Sequence, residues 1–244
     1  MRFTDKVCLV TGGTSGIGRA TCIRLGAEGA TVVVLGRDAA DGDETVDTIT
    51  KAGGTAIFLA CDLAKPKAIA ATVKKVVTKY HRVDVLICDA AMMTFEHLVD
   101  LPLEKWDLLM QVNLRSLAQL TQLCLPHMPK GSAIVAISSV HAHQTTASVV
   151  PYATSKGAME AFVRGMSREL DFRQIRINAV APGAVDTPML WTNPNVKNGV
   201  ETIDKATVGQ PEELAAAIAF MASHEASFIH GTTLAVDGGR LAQL

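Results

Sequence analysis

The sequence has few aromatic residues and no long apolar run. Aromatic residues make up 5% of the 244 residues, and the chain has only two tyrosines. No segment reaches the roughly 18 consecutive apolar residues that indicate a membrane-spanning helix. The N-terminus, MRFTDKVCLV, has too short an apolar run for a secretory signal peptide. We therefore expect no membrane span, no secretory signal and no membrane partner.

The chain also lacks an excess of charge and lacks paired cysteine motifs. Its formal net charge is -1, so we expect no general attraction to nucleic acid or to anionic membranes. No C-x-x-C pair occurs, and most of the cysteines lie in apolar segments. Buried, reduced thiols fit a reducing compartment, so we predict a cytoplasmic protein. The five cysteines are Cys8, Cys22, Cys61, Cys88 and Cys124.

What the chain does have is a regular alternation of short apolar runs and longer amphipathic stretches. The apolar runs are rich in Val, Ile and Leu without polar alternation, which is typical of strands buried on both faces of a parallel sheet. The βαβα pattern predicts a single α/β domain over residues 1–244, a doubly wound Rossmann fold with a mostly parallel seven-stranded sheet and helices on both faces. The apolar runs are residues 6–12, 31–36, 55–60, 83–88, 133–138, 175–181 and 232–236.

One long stretch, residues 183–208, has no such periodicity. A structureless loop of this length in a compact domain is more often a lid or a binding loop than a defect, so we predict that it is the substrate loop. Residues 92–95 and 140–150 are expected to contribute to substrate selection as well. Met92, Met93, Met189 and Trp191 are candidates to line an apolar substrate pocket, although buried packing explains each methionine equally well.

A glycine-rich turn, TGGTSGIGRA at residues 11–20, follows the first predicted strand. It is not a P-loop, because Arg19 and the alanine after it replace the required lysine and hydroxyl residue. It is not a hydrolase nucleophile elbow, because the glycine two positions after the serine is missing. The remaining spacing, with Gly12, Gly16 and Gly18, is typical of a turn that lets a dinucleotide pyrophosphate approach a helix N-terminus. A flexible turn without a ligand is the alternative.

The segment PYATSK, residues 151–156, places a tyrosine four residues before a lysine. Hydride transfer between a carbinol carbon and a nicotinamide needs a proton acceptor for the hydroxyl, and free tyrosine titrates near pH ~10. A base that works near neutrality needs this pKa lowered by roughly three units, and the ammonium of Lys156, one helical turn away, has the right sign of charge to lower it. Ser139 ends a buried strand, where its hydroxyl can face the crevice beyond the sheet. An ordinary helix start with an exposed lysine is the alternative.

Taken together, these motifs resemble the compact branch of the short-chain dehydrogenases/reductases, which includes 3-oxoacyl-carrier reductases, glucose dehydrogenases and hydroxysteroid dehydrogenases. The resemblance covers nearly the whole chain. It implies an NAD(P)-dependent oxidoreductase that interconverts a secondary alcohol and a ketone, a small-molecule substrate. The motifs are TGGTSGIG (11–18), CDLA (61–64), VNL around Asn113, ISS (137–139), YATSK (152–156), APGAVDTPM (181–189) and AVDGG (235–239).

The resemblance also implies a role for each site residue. Tyr152 would be the general acid/base, and Lys156 would lower its pKa and bind the nicotinamide ribose. Ser139 would hydrogen-bond the substrate oxygen, and Asn113 would hold a water that connects Lys156 to solvent. The implied cofactor-binding residues are Gly12, Thr14, Ser15, Gly16, Ile17, Gly18, Arg37, Asp62, Leu63, Ala90, Tyr152, Lys156, Pro182, Gly183, Val185 and Thr187.

Two segments near these motifs are less regular. CDAA, residues 88–91, stands where the family usually has N-N-A-G, and we expect this departure to affect local stability or cofactor affinity. HAHQ follows Ser139, and we favour an exposed loop for His141 and His143 over a substrate-pocket rim. Since no acidic or thiol ligand lies nearby in sequence, no metal site is predicted.

The end of the second predicted strand carries the signal for cofactor preference. An NAD enzyme typically places Asp or Glu there, where the carboxylate would repel a 2′-phosphate. Here the position is Gly36, and Arg37 can grip a phosphate through paired hydrogen bonds. Two residues argue against a preference for NADP(H). Asp38 can neutralise Arg37, and Ser15 stands where many NADP-binding relatives carry a second cation. We therefore favour NADP(H), with NAD(H) as the alternative.

The helix that begins at Tyr152 carries small residues at four-residue steps, which are Ala153, Gly157, Ala161 and Gly165. In the family this helix builds the dimer interface, so a homotetramer or homodimer is implied; burial against the chain's own core is the alternative. Two other functions stay open. One is a non-catalytic redox sensor that binds a dinucleotide, and the other is an epimerase or dehydratase of the longer family branch. The substrate itself is unassigned among oxoacyl thioesters, sugars, steroids and small ketones.

Overall fold

A seven-stranded sheet forms the centre of the protein in this computed structural model, which describes residues 1–242. The strands are β1 (Val7–Thr11), β2 (Thr31–Gly36), β3 (Thr55–Ala60), β4 (Val85–Cys88), β5 (Ser132–Ile137), β6 (Ile175–Pro182) and β7 (Thr233–Val236). Their order across the sheet is β3-β2-β1-β4-β5-β6-β7. Every neighbouring pair is parallel. The chain order reverses between β1 and β4, where a doubly wound sheet opens its binding crevice.

Nine helices cover the two faces of the sheet in the described part of the chain. They are α1 (Gly16–Ala27), α2 (Ala39–Lys51), α3 (Pro66–Tyr80), α4 (Leu103–Met110), α5 (Ser116–Cys124), α6 (Val150–Glu169), α7 (Pro188–Thr192), α8 (Pro194–Lys197) and α9 (Pro211–Ala222). Helices α1, α2 and α9 pack on one face, and α3, α5 and α6 pack on the other. Over residues 1–242, no helix combines the length and the apolar character that crossing a membrane requires.

The strands confirm the Rossmann fold predicted from the apolar runs, with bounds that differ by no more than two residues. Successive side chains of a strand enter opposite cores. Leu9 and Val33 belong to the core beneath α3, α5 and α6, whereas Cys8 and Val32 belong to the core beneath α1, α2 and α9. Both faces of the sheet are therefore covered by helices, which is why these strands show no alternation of apolar and polar residues.

The amphipathic stretch 103–128 is interrupted, although its periodicity alone predicts continuous helix. Helix α4 ends at Met110, one wide π-type turn covers Gln111–Arg115, and α5 continues from Ser116. Such turns insert an extra residue into a helix and are frequent at functional sites. The turn carries Asn113, whose side chain is consequently directed toward the segment that follows β4.

The segment 183–208 is more ordered than its sequence predicts, because it contains α7 and α8. A proline opens each of these short helices. The side chain of Thr187 accepts a hydrogen bond at the start of α7, and that of Asn193 does so at the start of α8. Each helix has five residues or fewer, which is too short for a 3.6-residue apolar period to be visible.

Candidate active site

A cavity of about 580 Å³ lies beyond the carboxyl ends of the strands. It brings together elements that are distant in sequence, namely the glycine turn, the ends of β4 and β5, the start of α6 and the segment after β6. Of the residues predicted to bind a cofactor, all but Gly18 line it. Those residues are Gly12, Thr14, Ser15, Gly16, Ile17, Arg37, Asp62, Leu63, Ala90, Tyr152, Lys156, Pro182, Gly183, Val185 and Thr187.

The glycine turn forms an open cradle at the start of α1. Gly12 has φ +72° and Gly16 has φ +51°, values that side chains disfavour. A Cβ atom on Gly18 would lie 2.2 Å from the carbonyl oxygen of Gly12, so Gly18 is needed for close packing rather than for lining the cavity. The first turn of α1 holds no acidic residue, and Ser15 makes no side-chain cap there. The backbone N–H groups at this helix start fit the pyrophosphate of a dinucleotide.

Ser139, Tyr152 and Lys156 meet in the cavity wall. Ser139 lies two residues after the end of β5, and its hydroxyl acts to lower the pKa of the Tyr152 phenol. Lys156 lies one turn further along α6 and donates from Nζ to the carbonyl oxygen of Ile137 at 2.6 Å. The ammonium is 5.4 Å from the centre of the Tyr152 ring. Tyr152 and Lys156 are both buried, which contradicts the alternative of a helix start with an exposed lysine.

Asn113 lies behind the cavity wall rather than in it. Its amide accepts a hydrogen bond from the backbone N–H of Met92 at 2.8 Å and donates to the carbonyl oxygen of Met92 at 2.9 Å. It also donates to the hydroxyl of Ser155 at 3.1 Å, and that hydroxyl donates to the carbonyl oxygen of Tyr152 at 2.7 Å. Asn113 therefore joins the segment after β4 to the turn of α6 that carries Tyr152.

The pKa of Tyr152 differs from the sequence expectation. Burial raises it to about 12, although the neighbouring Ser139 hydroxyl acts in the opposite direction. Lys156 was expected to lower this pKa, but its ammonium is directed at Ile137 and burial lowers the pKa of Lys156 itself. The phenol consequently stays protonated at neutral pH. Its favoured role with these neighbours is to donate a proton, and a base role needs further positive charge in the cavity.

Two buried polar residues to which the sequence analysis gave no role, Ser138 and Glu160, support the segment after β5. The hydroxyl of Ser138 donates to Glu160 at 2.7 Å, and the same carboxyl group lies 3.1 Å from His143. Glu160 is buried one helical turn after Lys156. A charged residue on the buried face of α6 is the sequence feature that could have identified it. His143 has a half-exposed side chain, as an exposed loop predicts.

His141 is not part of an exposed loop. Its ring centre lies 5.8 Å from that of Tyr152 in an edge-on arrangement, and the residue lines the cavity. Burial lowers its pKa, so the imidazole is biased toward its neutral form. Two histidines at this spacing do not form a metal site here, because no group of three or more potential ligands clusters within residues 1–242.

The other end of the cavity is shaped by Gly36 and Arg37. A Cβ atom on Gly36 would lie 2.2 Å from Cγ2 of Thr14, so this position has no room for an acidic side chain unless Thr14 moves. Asp38 accepts a hydrogen bond from the backbone N–H of Asp41 at 3.1 Å and thereby caps α2. Arg37 is exposed at the cavity mouth and forms no ion pair within the described residues.

The remaining wall of the cavity is mostly apolar. Met92, Met93 and Met189 line it, as the sequence predicts for a substrate pocket. Trp191 does not, because its indole N–H donates to Asp186 at 2.6 Å outside the wall. The apolar set is completed by Leu108, Val112, Val140, Leu190 and Ile203. An ion pair between Arg240 and Glu201, 3.0 Å long, closes the wall near the C-terminus.

Comparison with known proteins agrees with this geometry. A family profile described as Enoyl-(Acyl carrier protein) reductase matches residues 12–240. A 3-oxoacyl-[acyl-carrier-protein] reductase from Thermotoga maritima is 36% identical over 243 residues, which cover 98% of this chain and 99% of the relative. A glucose and ribitol dehydrogenase from Daucus carota is 35% identical over 251 residues, which cover 98% and 86%.

A solved structure shows the same likeness in three dimensions. A short chain dehydrogenase from Burkholderia cenocepacia, in complex with NADP, superimposes with a TM-score of 0.89 at 32% identity and covers 98% of both chains. Sequence, fold and cavity thus agree on an oxidoreductase that acts on CH–OH donors with a nicotinamide cofactor. The chain belongs to the short-chain dehydrogenase/reductase family.

Proposed function

We propose that the protein interconverts a ketone and a secondary alcohol with NADP(H) as cofactor, and that Tyr152 is the general acid/base. The observation that carries this proposal is that Ser139, Tyr152 and Lys156 line the same cavity as the glycine turn. A non-catalytic redox sensor would need the turn but not a buried proton donor beside it. The nicotinamide, when bound in this cavity, would supply or accept the hydride at the carbinol carbon.

The chain's own residues handle the proton. In the reductive direction, the Tyr152 phenol donates its proton to the substrate oxygen as that oxygen gains negative charge. The Ser139 hydroxyl donates a second hydrogen bond to the same oxygen and orients it. The Lys156 ammonium, 5.4 Å from the Tyr152 ring, stabilises the phenolate that the transfer leaves behind. In the oxidative direction the same phenolate accepts the hydroxyl proton.

Asn113 supports this arrangement indirectly. Its three hydrogen bonds fix Met92 on one side and the Ser155 turn of α6 on the other. The position of Tyr152 against the cavity thus depends on the π-type turn that carries Asn113. We propose that a water held near Asn113 returns the proton to Lys156 from solvent, a role taken from the family resemblance.

The proposed preference for NADP(H) rests on Gly36, which ends β2, and on Arg37, which follows it. Gly36 leaves no carboxylate to repel a 2′-phosphate, and the contact with Thr14 explains why none fits. Asp38 is occupied in capping α2, which leaves the guanidinium of Arg37 available for a phosphate. The complex of the Burkholderia cenocepacia relative with NADP is in keeping with this preference.

The substrate class is proposed from the character of the cavity wall. Methionine and aliphatic side chains dominate the part next to Tyr152, including Met92, Met93 and Leu190. Such a wall favours a ketone with apolar substituents over a sugar, whose hydroxyl groups would lose their water without gaining partners. We also propose a cytoplasmic location, since all five cysteines are buried free thiols.

Replacement of Tyr152 by phenylalanine tests the proposed mechanism. The enzyme should oxidise NADPH with at least one apolar ketone from a panel, and Tyr152→Phe should lower kcat by about 10²–10⁴-fold, because the proton donor is lost. Cofactor binding, measured by fluorescence titration, should change little.

The chain offers a matched control for this variant. Its other tyrosine, Tyr80, ends α3, and it does not line the cavity. Tyr80→Phe should leave turnover unchanged. Retention of more than about one percent of the wild-type rate by Tyr152→Phe would contradict the acid/base role, since such groups contribute at least about a hundredfold.

A further inference from the structure

Asp89 places a carboxyl group beneath the glycine turn. It follows β4, and its backbone N–H donates to the hydroxyl of Thr11 at 3.0 Å. A Cβ atom on Gly12 would lie 2.9 Å from its Oδ2 atom, and a Cβ atom on Gly18 would lie 2.7 Å from the same oxygen. The carboxyl group is therefore packed against the two glycines that open the cradle, and it lines the cavity.

Asp89 faces one cation and one backbone donor. Burial raises the pKa of Asp89, and this effect exceeds the opposing effects of the Lys156 ammonium and the Gly18 N–H. Burial also lowers the pKa of Lys156, while Asp89 raises it. The pair can thus exchange protons closer to neutrality than isolated carboxyl and ammonium groups do.

The other titratable groups around Asp89 stay neutral. Burial raises the pKa of the thiols of Cys22 on α1 and Cys88 on β4, and the Asp89 charge adds to both effects. Burial also raises the pKa of Tyr152 on α6, again with a contribution from Asp89. Asp89 and Lys156 are consequently the two groups in this cluster whose charge can respond to a ligand near neutral pH.

A diphosphate at the start of α1 would bring negative charge next to Asp89. The N–H groups of the turn attract such an anion, but an ionised carboxyl group in the same low-dielectric cradle repels it. Protonation of the carboxyl group removes the repulsion and leaves the turn unchanged. An asparagine, which the family usually has at this point of the motif, would carry no charge at any pH.

We propose that Asp89 makes cofactor affinity proton-linked: its carboxyl group takes up a proton when the cofactor's diphosphate occupies the glycine turn. This inference rests on the proposed dinucleotide-dependent function. It gives a physical reason for the expected effect of the departure from the usual motif on cofactor affinity. The affinity for the reduced cofactor then falls as pH rises through the range in which free Asp89 loses its proton.

The test compares NADPH binding to wild type and Asp89→Asn without substrate. Dissociation constants are measured by fluorescence from about pH 6 to about pH 8.5. We expect wild-type affinity to fall by about tenfold over this range, since a pKa shift of one unit corresponds to a tenfold change in affinity. Asp89→Asn should bind about tenfold tighter than wild type at the upper end. The difference between the two proteins cancels the titration of the 2′-phosphate of NADPH itself.

Calorimetry on wild type gives a second measurement that does not depend on the variant. NADPH is titrated in two buffers with different ionisation enthalpies, and the difference in heat should reveal proton uptake on binding. Glu104→Gln, which removes an exposed carboxyl group on α4, is the matched control and should follow wild type.

Three outcomes would overturn the inference. The first is an equal pH dependence in wild type and Asp89→Asn, which would assign the titration to Lys156 or to the cofactor. The second is weaker binding by Asp89→Asn at every pH, and the third is the absence of proton uptake by wild type. In each of these cases NADPH still binds, so the proposed function stands. If NADPH binds neither protein at any pH, the proposed function fails together with the inference.

Discussion

At the scale of single residues, the proposed role of Arg37 in cofactor choice can be tested directly. Its guanidinium is exposed at the cavity mouth, one position after a glycine that carries no carboxylate to repel a phosphate. A guanidinium–phosphate pair is a charge-assisted interaction of about 1.5–3 kcal/mol. Arg37→Ala should therefore lower the ratio of kcat/KM with NADPH to kcat/KM with NADH by about ten- to a hundredfold, measured with one ketone.

Lys51→Ala is the control for this prediction, because Lys51 is an exposed cation at the end of α2, with a side chain that is 79% exposed. It should leave the ratio unchanged. A wild-type preference for NADH, or an unchanged ratio in Arg37→Ala, would show that Arg37 does not contact the 2′-phosphate.

The sequence locates the proposed catalytic residues well because their relation is local. Tyr152 and Lys156 are one helical turn apart, and the end of a buried strand fixes Ser139. The pKa of Tyr152 cannot be predicted in this way, since it depends on burial and on Asp89, which lies after a different strand. The contact between Ser138 and Glu160 is equally non-local. No spacing rule could supply these effects, because they arise only when the sheet brings distant segments together.

At the scale of elements, the N-terminal cap of α9 can be tested independently of the active site. Gln210 precedes the helix, and its backbone N–H donates to the Glu213 carboxyl group at 2.6 Å in a reciprocal capping box. Loss of this cap should destabilise the fold, because α9 packs against α1 in one of the two cores. We expect Glu213→Ala to lower the free energy of unfolding by about 1 kcal/mol in urea denaturation. Glu213→Gln, which can still accept the bond, should lose less; equal losses would contradict the capping role.

A helix or strand can be predicted from the sequence to the extent that its burial imposes a regular pattern of apolar residues. Strands buried on both faces stand out as apolar runs, and their bounds are nearly correct. The π-type turn at Gln111–Arg115 is not visible in the sequence, because the apolar period continues through it. Helices α7 and α8 are missed for the opposite reason, since few of their side chains are buried and their order comes from caps at Thr187 and Asn193.

At the scale of the whole molecule, residues 1–242 leave two surfaces uncovered. On α6 the small-residue face is open, since a Cβ atom on Gly165 would meet no atom within 4 Å and one on Gly157 would meet only the Ala142 carbonyl oxygen at 3.9 Å. The alternative of burial against the chain's own core therefore does not hold for this face. The second surface is β7, which within the described residues forms the edge of the sheet next to β6 and leaves Leu234 36% exposed.

These two open surfaces motivate the prediction that the protein associates with copies of itself. Small residues let two α6 helices approach closely, and an edge strand with exposed apolar side chains is stabilised when a second subunit covers it. Light scattering at micromolar concentration should give the mass of a homotetramer, or at least of a homodimer.

Ala161→Arg places a charge on the exposed face of α6 and should reduce the mass without changing the circular dichroism spectrum. Ala71→Arg on the exposed side of α3 is the matched control and should leave the mass unchanged. A monomeric wild type would refute the prediction, and an unchanged mass in Ala161→Arg would remove α6 from the interface.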